Sequence, residues 1–164
     1  MLKDRINLIK FVGITLFICS ILMAKSLNDR YAADFVLKDT SGKEYAYNDF
    51  KGKVVILNFW ATWCAPCLRE MPALELLYQK YKNEGLQVIG IVVVSNKNDI
   101  APKLKKTGVT YPVLLGSKKT IAAYGNFYSI PQTFIIGRDG KILKQLSGSN
   151  TYSALEKEIK AVLP

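Results

Sequence analysis

Apolar positions along this chain fall into runs of two kinds. In Val54-Val55-Ile56-Leu57-Asn58-Phe59-Trp60 a single polar side chain interrupts the run, and Leu86 to Val94 is similarly apolar. Runs of this length without strict alternation fit strands buried on both faces of a sheet. Between them Met71, Leu74, Leu77, Tyr78 and Tyr81 recur at helical intervals, which predicts a helix from Cys64 to Asn83. Upstream, Phe35-Val36-Leu37 and Tyr45-Ala46-Tyr47 flank the turn-forming Asp39-Thr40-Ser41-Gly42 and read as a hairpin. Downstream, Asp99 to Lys106 reads as a helix, Tyr111 to Leu115 as a strand and Lys119 to Tyr124 as a helix. Thr133 to Ile136 and Lys141 to Leu146 form a second hairpin across Arg138-Asp139-Gly140. Asn150 or Thr151 then caps a last helix with Tyr152, Leu155, Ile159 and Val162 on its apolar face. Strands alternating with helices predict an α/β fold: a mixed central sheet between two helical layers.

The N-terminus has a different pattern. Lys3, Arg5 and Lys10 precede Phe11 to Ala24, fourteen residues without a charge. A basic segment followed by an apolar one addresses a chain to the export machinery. Residues 1–25 therefore read as a signal anchor, or as a signal peptide if cleaved, and residues 26–164 as the folded domain. Leu22 stands where a cleavage site prefers a small residue, which favours an uncleaved hydrophobic helix. Fourteen helical residues span only about 21 Å, so Ile6, Leu8 and Ile9 would extend the membrane contact to residues 6–24. Positive charge ahead of the span keeps the N-terminus cytoplasmic and the domain on the periplasmic or extracytoplasmic side.

Composition narrows the chemistry. The 164 residues include 23 Lys and Arg, 13 Asp and Glu, 3 Cys and no His, a net charge of +10. Without His there is no Ser-His-Asp or Cys-His nucleophile and no imidazole metal ligand. Residues 26–164 carry 19 positive and 12 negative side chains, net +7. Their lysines are scattered and no aromatic-interleaved basic helix appears, so nucleic acid is not an expected partner. The basic surface fits an anionic membrane or acidic partners better.

The candidate chemistry sits at Trp63-Cys64-Ala65-Pro66-Cys67, directly after the Val54–Trp60 run and at the start of a predicted helix. Free N–H groups and the positive dipole end at a helix N-terminus favour a thiolate. Pro66 near the first helical position loses no hydrogen bond there. Cys64, ahead of the helix, is the candidate exposed nucleophile, and Cys67, one turn in, the candidate resolving thiol. Half of a zinc site and an inert structural disulfide remain as alternatives. Cys19 falls in the apolar N-terminal run and reads as a membrane-buried residue.

Asp34 to Pro72 resembles the thioredoxin superfamily, specifically its membrane-anchored, extracytoplasmic TlpA/ResA group. The resemblance is carried by Lys51-Gly52-Lys53 and the apolar run, by Trp63-Cys64-Ala65-Pro66-Cys67, by Glu70 and Pro72, and by Ile130-Pro131-Gln132-Thr133-Phe134. It covers roughly residues 33–163 and implies a thioredoxin-like three-layer α/β/α sandwich. It also implies a cis Ile130–Pro131 bond lying against the Cys pair, with Ile130 offering its backbone to an extended substrate. Cytosolic thioredoxins carry a buried Asp where this chain has Asn58, which cannot act as a base. Glu70, three residues beyond Cys67, stands in the position from which the group is expected to accept the proton of Cys67. A solvated Glu70 paired with Arg69 or a Lys is the plainer alternative. Some relatives carry an acid where this chain has Ala65, so no tuning by that charge carries over.

The function these readings imply is an extracytoplasmic thiol–disulfide oxidoreductase that reduces protein disulfides, without a cofactor. Cys64, Cys67 and Glu70 are the candidate catalytic residues; Trp63, Ala65, Pro66, Ile130 and Pro131 are candidates for binding substrate. Trp63 and Trp60 are placed to shield the site, Trp60 alternatively to fill the core. The resemblance further implies a membrane electron donor that re-reduces the pair, and cytochrome c maturation as a setting for its clients. A thiol peroxidase of the peroxiredoxin group is one alternative, but its Pro-x-x-x-Thr-x-x-Cys setting is missing: Leu57 and Ala61 occupy the Pro and Thr positions. A thioredoxin-fold binding or chaperone module with an incidental Cys pair is the other.

Overall fold

A computed structural model describes residues 30–163. The expected hydrophobic N-terminal helix, the membrane contact expected of residues 6–24 and Cys19 lie outside the described residues. Among the described residues no helix is long and apolar enough to cross a membrane. The described residues from Tyr31 onward form one compact unit.

Two short strands, β1 (Val36–Lys38) and β2 (Glu44–Ala46), pair as the predicted hairpin. Asp39 closes its turn by accepting the N–H groups of Ser41 and Lys43 on Oδ1. The main sheet has the order β5-β4-β3-β6-β7. Its strands are β3 (Val54–Trp60), β4 (Leu86–Val92), β5 (Val113–Leu115), β6 (Gln132–Ile136) and β7 (Ile142–Ser147). β3, β4 and β5 run parallel, whereas β6 and β7 pair antiparallel, so the sheet is mixed as predicted. Among the described residues four α-helices complete the fold: α1 (Ala65–Tyr81), α2 (Lys97–Thr107), α3 (Lys118–Ala123) and α4 (Tyr152–Lys160).

The uninterrupted run at β3 places it at the centre of the sheet. Val54, Ile56 and Trp60 point into a core shared with Met71, Leu74 and Leu77 of α1, Ile100 of α2 and Leu155 and Ile159 of α4. Val55, Leu57 and Phe59 point the other way, against Tyr47, Phe50, Tyr124, Phe134 and the flank of α3. Each fully buried aliphatic or Phe of β3 stabilises the fold by about 1.5–3 kcal/mol, so this strand anchors both helical layers. Asn58, the one polar residue of the run, is satisfied in place: its Nδ2 donates to Thr133 Oγ1 across the β3–β6 pair at 2.9 Å.

Several boundaries depart from the sequence reading. Cys64 is the N-cap of α1 rather than its first residue, and the helix tightens at Lys82–Glu84 instead of running to Asn83. β4 stops at Val92 because Val94 turns to a positive φ of 46°. β5 begins at Val113 because Pro112 has no N–H for the ladder; its carbonyl still accepts from Gly90 at 2.9 Å. Of the two expected caps of α4 it is Thr151 that serves, accepting the Ala154 N–H at 3.2 Å.

Candidate active site

The redox pair sits where β3 hands over to α1. The turn is held by Cys64 N–H donating to the Ala61 carbonyl and by Thr62 N–H donating to Ser95 Oγ, both just past the sheet edge. Trp63 swings outward and its indole N–H donates to the Val94 carbonyl at 2.8 Å. With 66% of its surface exposed it flanks the site, whereas Trp60 is wholly buried in the core cluster that also holds Cys64 and Cys67. Gly90 makes room for Trp60: a Cβ there would lie 3.2 Å from its Nε1 and 3.3 Å from the Tyr111 ring.

Cys64 and Cys67 are joined in a disulfide, their Cα atoms 5.3 Å apart. Cys64 caps α1 with its sulfur, which accepts the Cys67 N–H at 3.2 Å. That donor and the helix dipole both stabilise negative charge on Cys64 once the pair is reduced. Pro66 occupies the first turn, where its missing N–H costs nothing. Cys64 retains 5% exposure and Cys67 1%, so Cys64 is less open than the sequence reading supposed. Part of the cover is the Ile130 carbonyl, whose oxygen lies 3.8 Å from Cys64 Sγ. The Ile130–Pro131 bond is cis. Ala65 and Pro66 are exposed beside the pair.

Glu70 points inward from α1, one helical turn beyond Cys67, and is 2% exposed. Arg69 turns outward and forms no ion pair with it, so the solvated alternative does not hold. Asn150 donates to Glu70 Oε1 twice, from its backbone N–H and from Nδ2, each at 3.3 Å. Oε2 is buried without a hydrogen-bond partner among the described residues. Burial therefore dominates and lifts the carboxyl from 4.5 to about 7, while the Asn150 bonds pull the other way.

Asn150 escaped the sequence reading, which saw in it only a helix cap. It belongs to a short relay of hydrogen bonds. Gly148 N–H donates to the Pro131 carbonyl at 2.9 Å, and Asn150 Nδ2 donates to the Gly148 carbonyl at 2.8 Å. Gln132, buried directly after Pro131, adds a second tie. Its Oε1 accepts from Gln145 and Ser147 of β7, and its Nε2 donates to Ser129. The only sequence signal for this arrangement was the turn-forming Gly148-Ser149-Asn150 between β7 and α4.

The chain has relatives among known proteins. Residues 29–145 match the profile described as the AhpC/TSA family. This chain belongs to the AhpC/TSA family, within the thioredoxin superfamily. The chain is 34% identical over 133 residues to the thiol-disulfide oxidoreductase ResA of Geobacillus kaustophilus, covering 81% of this chain and 76% of that one. It is 40% identical over 136 residues to the ResA of Bacillus anthracis, covering 81% and 77%. A thiol:disulfide interchange protein of the thioredoxin family from Chlorobium tepidum superposes with a TM-score of 0.78 at 26% identity, covering 84% and 98%. This AhpC/TSA family member is an enzyme, a thiol–disulfide oxidoreductase whose CxxC pair is Cys64–Cys67. The profile match ends at residue 145, so Asn150 lies beyond it.

Proposed function

We propose that this protein reduces disulfides of exported proteins from a membrane anchor on the extracytoplasmic side. The observation that carries the thiol–disulfide exchange chemistry is Glu70, a buried carboxyl one turn behind Cys67 whose burial raises it to about 7. In the reduced enzyme the Cys64 thiolate attacks one sulfur of the client disulfide. A mixed disulfide forms and the other client sulfur leaves as a thiolate. Glu70 takes the proton of Cys67, and the Cys67 thiolate attacks Cys64 Sγ. The second client sulfur departs with its electrons, and the enzyme holds the Cys64–Cys67 disulfide. Two electrons have passed from the pair to the client, and a membrane electron donor restores the dithiol.

Ile130 and Pro131 would line the path of the client. The Ile130 carbonyl lies at Cys64 Sγ, Pro131 offers no competing N–H, and an extended client segment can add its backbone alongside. Exposed Trp63 and Ala65 and Pro66 form the opposite rim. The names of the ResA relatives support the thiol–disulfide chemistry. Apocytochrome c, whose thiols must stay reduced for haem attachment, is the client we propose. The basic, apolar N-terminus supports the anchor and the extracytoplasmic domain. A thiol peroxidase reading gains nothing from the geometry, because Leu57 and Ala61 are both buried apolar residues where Pro and Thr would be needed.

The test is insulin reduction by the wild type, Cys64→Ser, Cys67→Ser and the double variant, together with the reduction potential of the pair. Activity lost in all three variants and a potential near thioredoxin's value of about −270 mV support a reductase. A potential near about −120 mV reverses the direction. Wild-type activity no greater than that of the double variant removes the redox function.

A further inference from the structure

We propose that the groove between α1 and α2 is a docking site for an acidic segment of the protein client, close to the disulfide being exchanged. This rests on the reading of the enzyme's substrates as proteins.

The groove has a volume of about 300 Å³ and is lined by Ala65, Leu68, Arg69 and Pro72 from α1 and by Lys103, Lys106 and Thr107 from α2. The four α1 positions follow the i, i+3, i+4, i+7 pattern of one helix face. Lys103 and Lys106 stand one turn apart on α2 and face them. Leu68, Ala65 and Pro72 give the groove an apolar floor, and Arg69, Lys103 and Lys106 give it a cationic rim.

The charge on that rim is uncompensated. No Asp or Glu lines the groove. Among the described residues none of the three cations is in an ion pair. What sets the rim apart is the convergence of three cations on one apolar concavity, since other lysines of the described residues also lack an ion pair while Lys38, Lys80 and Lys144 have one. Three like charges gathered around one apolar concavity repel each other in the free protein, and an incoming carboxylate relieves that repulsion.

The position of the groove identifies the partner. Its lining includes Ala65, the residue between Cys64 and Cys67, so a chain lying in the groove is within reach of the redox pair. A flat anionic membrane seated there would cover the pair and close it to clients. A protein segment with carboxylates beside its own cysteine satisfies both the rim and the disulfide. The volume is at the small end of the ~300–1,000 Å³ range of ligand sites, which suits a short stretch of chain rather than a folded surface.

The experiment uses the full chain in detergent, reduced beforehand, with three fluorescence-quenched disulfide peptides that differ only in flanking Glu, Lys or Ser pairs. The Glu peptide should exceed the Lys peptide in kcat/KM by about tenfold at low ionic strength. The difference should shrink at about 1 M salt, where the screening length is about 3 Å. Lys103→Glu/Lys106→Glu should invert the order while exchanging the Ser peptide at the wild-type rate. Equal rates for the Glu and Lys peptides in the wild type, or a Glu preference that survives in the variant, overturn the docking site alone. Failure of every peptide, Ser included, to exceed the Cys64→Ser/Cys67→Ser background overturns the protein-substrate reading together with the docking site. Anionic vesicles form the last arm. If they suppress the Glu and Ser peptides equally, and the Lys103→Glu/Lys106→Glu variant escapes, the groove belongs to the membrane and the proposal is overturned.

Discussion

Replacing Glu70 by Gln isolates the effect of the buried carboxyl. Gln keeps the shape and leaves an oxygen for the two Asn150 donors, but it cannot ionise. In the folded wild type, burial raises the group from 4.5 to about 7. Below 4.5 the carboxyl is protonated in both the folded and unfolded chain. Between 4.5 and 7 the folded state retains a proton that the unfolded state has released, so stability falls as pH rises. The loss is complete once pH passes the folded value. A shift of about 2.5 units at about 1.36 kcal/mol each makes that loss about 3 kcal/mol. The variant has no such term. Urea unfolding of the oxidised proteins should therefore show the Gln variant gaining about 3 kcal/mol on the wild type between pH values near 4 and near 9. The disulfide silences both active-site thiols, and the chain has no His to titrate in this window. Stability curves that stay parallel within about 0.5 kcal/mol across the range would refute the argument that burial controls this group. In the reduced enzyme the same substitution should remove an inflection near 7 from the pH profile of disulfide exchange.

Asn150→Ala deletes the Nδ2 hydrogen bond that favours the ionised Glu70 and leaves the backbone N–H bond in place, so the apparent pKa of Glu70 in the exchange profile should move up, at a cost of about 1 kcal/mol in chemical denaturation; a downward move contradicts the assigned role. Gly90→Ala forces a Cβ to within 3.2 Å of Trp60 Nε1 and Val113 Cγ2. It should destabilise the domain by about 1–3 kcal/mol, read as a lower denaturation midpoint with an unchanged slope. Val94 holds a positive φ although it is β-branched and 70% exposed. Val94→Asn should stabilise by about 1 kcal/mol, because Asn tolerates that region far better, while insulin reduction stays intact.

The core was legible in the sequence where burial on both faces left a continuous apolar run. β3 begins and ends where the run predicted, at Val54 and Trp60. The Cys pair was legible because its spacing at a helix start converts directly into geometry, and the same helix puts Glu70 one turn beyond Cys67; the role expected of Glu70 came only through the family resemblance. Ile130 and Pro131 could be placed at the pair only through a family resemblance, since no local pattern reports which distant loop will fold against a helix start. Asn150 was out of reach for the same reason. Its neighbours in sequence argue for a cap, and only the packing of α4 against α1 turns its donors toward Glu70. Strand ends were misjudged where tertiary bonds took over, as at Val94, whose carbonyl serves the Trp63 indole instead of the sheet.

The relay from the Pro131 carbonyl through Gly148 and Asn150 to Glu70 makes the client groove and the proton acceptor parts of one thermodynamic system. A client strand that shifts Pro131 also shifts the donors that set the proton affinity of Glu70. Linkage is reciprocal: if occupancy changes the protonation of Glu70, protonation must change affinity for the client by the same factor. Client affinity then varies across the pH range around 7 even for a client with no titratable group of its own. Local acidity around the enzyme would thus govern how long a client is held as well as how fast its disulfide is exchanged.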